Sequence, residues 1–286
     1  MKLLRVGPPG AERPVVLGQD GTAYDLSGVT ADIDGDFLAG LTGDGAAALA
    51  GQVAAGRLPV AEIGGQRVGP PVARPGKVVG IGLNYRDHAA EAGAAIPDEP
   101  VIFLKPSSTV VGPYDEVLVP RGGEKTDYEA ELAVVIGRTA RYLPDRAAAA
   151  GVIAGYTIAN DVTERAFQFE RGGQWDKGKS AETFTPLGPW LVTADEVADP
   201  QRLPLRLWVN GELRQDGSTE RMVFPVLELV RYTSQFMVLE PGDVIVTGTP
   251  AGVTLGRPGT PYLTPGDIVE IEIDGLGRQR QVLGKA

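Results

Sequence analysis

The sequence predicts an α+β protein, rich in strands and with few helices. Short β-branched runs recur between turns containing glycine or proline, as at residues 77–82, 100–104 and 244–246. Asn210-Gly211 separates apolar runs at 205–209 and 212–215, a strong signal for a two-residue hairpin. Helical spacing is confined to a few stretches, among them 225–238 with Val226, Leu229, Val230 and Met237.

In chain order, residues 1–72 read as a small N-terminal domain. Strands are expected at 3–6, 14–17 and 22–26, and an Ala-rich helix at 44–55. The proline- and glycine-rich stretch 69–76 cannot continue an element and reads as a linker, so 73–286 forms the second, larger domain. There, strand 77–82 ends in glycine, and Asn84 is placed to cap a helix carrying His88 and Glu91. Strands follow at 100–104 and 116–119. Residues 128–136 alternate and then run apolar, as a half-buried strand does. A short helix at 146–152, a strand at 153–160 and a helix at 163–170 come next. Pro241-Gly242-Asp243 and Pro265-Gly266-Asp267 each make a turn before a β-branched strand.

Composition narrows the function. At 286 residues and 43% hydrophobic, the chain has the make-up of a globular protein. No run approaches the ~20 apolar residues of a membrane span, and Pro8-Pro9 breaks the N-terminus too early for a signal peptide, so a cytoplasmic location is expected. Without cysteine there is no disulfide, thiolate metal site or cysteine nucleophile. A formal charge of −10 argues against nucleic acid as partner, but not against a small anionic substrate met by a bound cation and a lysine.

The only histidine is His88, and Glu91 lies three residues on, on the same helical face. That is the layout of a general base with an orienting acid, although a solvated histidine near a helix start has the same spacing. Glu129 and Glu131, two apart on one strand face, lie ~7 Å apart. Like charges so placed are either an ordinary solvent face or a pair sharing a cation. Asp161 follows the next strand and reads either as the start of a capping box, Asp161-Val162-Thr163-Glu164, or as a third carboxylate. All three together suit Mg²⁺ or Mn²⁺ and suit zinc poorly. Lys177 and Lys179 share a loop, with Lys177 expected in solvent. Gly248-Thr249-Pro250 is either a plain turn or a backbone and hydroxyl cradle for a carboxylate. Gly80-Ile81-Gly82 lacks the third glycine of a dinucleotide fingerprint.

Taken in order, Gly82-Leu83-Asn84-Tyr85 with His88 and Glu91, Phe103-Leu104-Lys105-Pro106-Ser107, Tyr128-Glu129-Ala130-Glu131-Leu132, Ala159-Asn160-Asp161-Val162-Thr163, Lys177-Gly178-Lys179-Ser180 and Thr247-Gly248-Thr249-Pro250 resemble the fumarylacetoacetate hydrolase family, and span about residues 77–275. The resemblance implies a rolled, mixed β-sheet catalytic domain behind a small N-terminal domain, in a homodimer. It implies a divalent ion on Glu129, Glu131 and Asp161, and a lid segment carrying His88 and Glu91. Lys179 would lie near the reacting carbonyl, and Lys105, Gln168 and Thr249 would bind substrate. Leu83 departs from relatives with acylpyruvate activity that carry arginine there.

The expected activity is metal-dependent hydrolysis of the C3–C4 bond of a 2,4-diketo acid, with Mg²⁺ or Mn²⁺ as Lewis acid and template. His88, held by Glu91, would deprotonate water, and Lys179 would stabilise the oxyanion. Decarboxylation of an oxaloacetate-like acid and isomerisation of a 2-hydroxy-dienoate are alternatives on the same site. A non-catalytic carboxylate-binding module is a further one.

Overall fold

The computed structural model describes all 286 residues. It is a strand-rich α+β structure organised on two sheets. The larger, of ten strands, runs in spatial order Ala23–Asp25, Arg13–Leu17, Lys2–Val6, Leu191–Thr193, Ile153–Asn160, Ala130–Ile136, Val244–Val246, Val78–Gly82 and Val101–Lys105, with Val68–Gly69 beside Lys2–Val6. Val244–Val246 and Val78–Gly82 pair in parallel and the other neighbours antiparallel, so the sheet is mixed. The smaller sheet of five strands contains the expected hairpin, Pro204–Val209 with Glu212–Ser218. Its turn residues Asn210 and Gly211 both take positive φ, 52° and 79°, which a two-residue turn of this hand requires.

Strand Ala130–Ile136 is buried along its whole length, and its two faces enter different cores. Leu132, Val134 and Ile136 pack towards the smaller sheet with Leu207, Ile271 and Ile273. Ala133 and Val135 pack on the other face with Leu3, Leu38 and Leu49. The latter two come from helices Gly35–Leu41 and Gly45–Ala54. The first of these helices has no apolar period long enough to announce it, and Asp34 caps it through a bond from Phe37 N–H at 3.0 Å.

The N-terminal residues extend the large sheet. Lys2 and Leu3 pair with Val192 and Leu191, and Val72, within the expected linker, is fully buried in the same core as Val78. We propose residue 72 as the boundary of a module that is added to the larger sheet and shares its core. Arg67 strengthens the junction by pairing with Glu12 at 2.8 Å and with Asp115 at 2.5 Å.

Two local expectations change. Asn84 does not cap the helix Arg86–Glu91, whose N-cap is Tyr85. Asn84 is fully buried, donating to Thr247 O (2.8 Å) and Phe224 O (3.1 Å) and accepting from Phe224 N–H (2.8 Å). The amide thus satisfies three backbone groups of two distant segments, which outweighs one cap bond. Asp161 does not cap either: Glu164 is the N-cap of helix Arg165–Phe169, accepting from Ala166 N–H at 3.2 Å.

Candidate active site

Antiparallel registry assembles the site at one end of the large sheet. Ala130 faces Asn160, so Glu129 and Asp161 come together at the strand ends, where Asp161 N–H donates to Glu129 O at 3.0 Å. Val246 lies opposite Ala133, which brings Gly248 to Glu131 on leaving its strand. Gly80 pairs with Val246 and carries the chain on to Leu83 and the helix of His88. A cavity of about 310 Å³ opens here, lined by His88, Glu129, Glu131, Asp161, Gln168, Lys179 and Thr249 among others.

Glu129, Glu131 and Asp161 are all buried and each offers an oxygen within 4.8 Å of the others. Their surroundings differ. Lys179 Nζ bridges Glu129 Oε2 (2.7 Å) and Asp161 Oδ2 (2.6 Å). Arg165 donates to Glu129 Oε1 at 2.6 Å and to Asp127 Oδ2 at 3.0 Å. Burial opposes ionisation of Glu129, but Lys179 and Arg165 outweigh it and hold that carboxyl down at about 2. Glu131 has no cation of its own and accepts one bond, from Gly248 N–H at 2.7 Å. Burial, with Asp161 and Glu129 beside it, pushes its carboxyl well above the usual carboxylate range. An oxygen-only donor set with one carboxylate short of positive charge fits a hard divalent ion, with Glu129, Glu131 and Asp161 as the residues that would hold it.

His88 is 7% exposed and lines the cavity. Its Nδ1 lies 3.8 Å from Glu91 Oε2, a charge contact too long for a hydrogen bond. Glu91 is fixed from the other side by Gly252 N–H at 2.9 Å, with Arg257 at 3.8 Å. Burial raises its carboxyl, yet His88, the Gly252 amide and Arg257 pull it below its ordinary value, so it faces the imidazole as an anion.

The remaining site candidates divide. Gln168 lines the cavity and accepts from Arg165 at 3.1 Å. Thr249 also lines it, but its hydroxyl proton goes to Ala130 O (2.9 Å) and its oxygen accepts from Gln215 Nε2 (2.8 Å). That hydroxyl therefore has no donor left for a cradle, since it carries only one. Lys105 is not on the cavity wall; its Nζ sits behind Asp161, 2.5 Å from Oδ1 and 3.2 Å from Val162 O. Lys177 is exposed and bonds Arg171 O, while Lys179 is 2% exposed. Arg165 and Asp127 were not anticipated. Both are fully engaged buried charges 36–38 residues from their partners, and no local pattern marks them.

Residues 77–283 match the family model described as fumarylacetoacetate hydrolase C-terminal. The chain belongs to the fumarylacetoacetate hydrolase family. A protein of Burkholderia ambifaria with a provisional hydrolase name is 51% identical over 282 residues, 98% of each chain. Among solved structures, fumarylacetoacetate hydrolase from Exiguobacterium antarcticum is 34% identical over 100% of both chains with a TM-score of 0.86. Maleylpyruvate hydrolase from Sphingobium sp., solved with manganese(II) and pyruvate, is 30% identical over 100% of both chains with a TM-score of 0.81. No helix of this family member is long and apolar enough to cross a membrane.

Proposed function

We propose that this protein hydrolyses the C3–C4 bond of a 2,4-diketo acid of the acylpyruvate kind, giving pyruvate and a carboxylic acid. The observation that carries this is the single histidine, backed by an anionic Glu91, facing the same cavity as three clustered carboxylates. Mg²⁺ or Mn²⁺ on Glu129, Glu131 and Asp161 would supply Lewis acidity to the 2-oxo acid end of the substrate.

This chain's own groups account for the other steps. His88 takes a proton from water through Nε2 while Glu91 stabilises the imidazolium from the Nδ1 side. Hydroxide adds to the 4-carbonyl. Lys179 has three N–H donors, two of them spent on Glu129 and Asp161, and the third serves the oxyanion. Collapse of the tetrahedral species expels the three-carbon enolate, which is reprotonated as pyruvate. Gln168 and Arg165, bonded to each other, position Glu129 and line the cavity. Lys105 acts through Asp161 as a positioning residue.

Isomerisation is the second reading. A solved probable 2-hydroxyhepta-2,4-diene-1,7-dioate isomerase from Mycobacterium abscessus is 33% identical with a TM-score of 0.83. The imidazole and carboxylate pair favours hydrolysis, because moving a double bond needs no activated water. A homodimer is part of the proposal and sedimentation tests it. Release of pyruvate from 2,4-dioxopentanoate, assayed with and without Mn²⁺ beside oxaloacetate and a 2-hydroxy-dienoate, tests the reaction. Full turnover after exhaustive chelation sinks the metal assignment, and turnover of the dienoate alone replaces hydrolysis with isomerisation.

A further inference from the structure

Beside its polar groups the cavity is lined by three aromatic rings, of which Phe103 has Lys179 Nζ 4.9 Å from its centre. Phe103 and Phe169 each lie with their ring centres 6.0 Å from that of Trp175. Two glycines of strand Val78–Gly82 make room for this wall. A Cβ added at Gly80 would fall 2.1 Å from Phe103 Cζ, and one at Gly82 would fall 2.4 Å from Trp175 Cζ3. The Gly80-Ile81-Gly82 motif is thus a flat seat for two rings. Phe169 is 44% exposed although it lines the cavity, so an apolar face stands open at the mouth. Leu83 and Leu255 add to it.

Charge in the cavity points the same way. Arg165 and Lys179 are, besides His88, the basic residues on its lining. Arg165 is committed to Asp127, Glu129 and Gln168, and Lys179 to Glu129 and Asp161. Arg257 faces Glu91 at 3.8 Å and does not line the cavity. Lys179 reaches only the Phe103 ring, so a second substrate carboxylate against Trp175 and Phe169 would meet aromatic faces and no lining cation free of its own carboxylates, and desolvating an unpaired carboxylate is costly.

Resting on the function proposed above, we infer that the substrate's arm beyond the 4-carbonyl is uncharged and apolar, an aryl or alkyl group packed on Phe103, Trp175 and Phe169. The substrate class is then a monocarboxylic acylpyruvate and not a dicarboxylate. Offset or edge-on stacking favours an aryl arm.

Calorimetric titration of the Mn²⁺-loaded protein with oxalate, 4-phenyl-2-oxobutanoate and 2-oxopentanedioate tests this. The phenyl acid is expected to bind at least about tenfold tighter than the dicarboxylate, from ring burial alone. Trp175→Ala is expected to weaken the phenyl acid about tenfold more than oxalate, and Trp175→Phe to recover most of that loss. Equal or tighter binding of the dicarboxylate overturns the arm assignment, as does an equal loss for both ligands in Trp175→Ala. If wild type fails to bind oxalate, the functional reading falls and this inference with it; if oxalate binds without any phenyl preference, only the arm assignment falls.

Discussion

The Lys105 ammonium lies 2.5 Å from Asp161 Oδ1, and both side chains are sealed from solvent. Burial holds the lysine below its ordinary value, and Lys179 nearby adds to that, while Asp161 offsets part of it. Replacing Lys105 strips the donor from Asp161 Oδ1, while Lys179 still pairs with Oδ2 at 2.6 Å. With one counter-ion kept, Lys105→Met is expected to lower stability by about 1–3 kcal/mol in denaturant unfolding. A loss under about 0.5 kcal/mol would show that Lys179 alone satisfies Asp161.

Glu131 is the carboxylate without a cation. Glu131→Gln keeps the shape, retains an acceptor for Gly248 N–H, and removes the charge that burial disfavours. The metal-free variant should melt no lower than wild type, and Mn²⁺ binding should be lost in calorimetry. Retained Mn²⁺ affinity would place the ion elsewhere.

For the base, His88→Asn should cut hydrolysis about 10²–10⁴-fold while Mn²⁺ affinity stays within about twofold. In the short helix Asp176–Lys179, Lys179→Ala should lower turnover strongly and Lys177→Ala hardly at all. Lys179 alone reaches Glu129 and Asp161, whereas Lys177 bonds an exposed carbonyl. Equal losses in both variants would break the oxyanion role.

Far from the cavity, Glu12 pairs with Arg5 at 3.2 Å and Arg67 at 2.8 Å. Burial raises its carboxyl, but the bond from Arg67 and the charge of Arg5 bring it below the ordinary value of 4.5. A carboxyl depressed in the folded state stabilises it above that value, and the benefit is lost as pH falls through the folded one. Melting temperature should thus decline on acidification below about pH 4.5, and the decline should be shallower in Glu12→Gln. An identical slope in the variant would remove Glu12 from the acid response.

What the sequence could show was local. Alternation placed Glu129 and Glu131 on one face, helical spacing joined His88 to Glu91, and Asn210-Gly211 announced its hairpin. Each of those signals lives within a few residues, where backbone period alone decides direction. Asn84 misled, and the Thr249 hydroxyl is spent inside the protein, because a polar side chain read alone has several partners open to it. In the structure Asn84 bonds Thr247 and Phe224, and Thr249 bonds Ala130 and Gln215, all far away in sequence except by folding.

By itself, then, the sequence determined the strand-rich class, the acidic oxygen-donor inventory and the single histidine with a carboxylate three residues on, since composition and period are properties of the chain. The tertiary structure decided that Lys179 and Arg165 neutralise Glu129 while Glu131 goes without, that Lys105 stands behind Asp161, and that Phe103, Phe169 and Trp175 form one wall. Charge balance and ring packing depend on distances between segments that the sheet registry brings together, and no window of the sequence contains both partners.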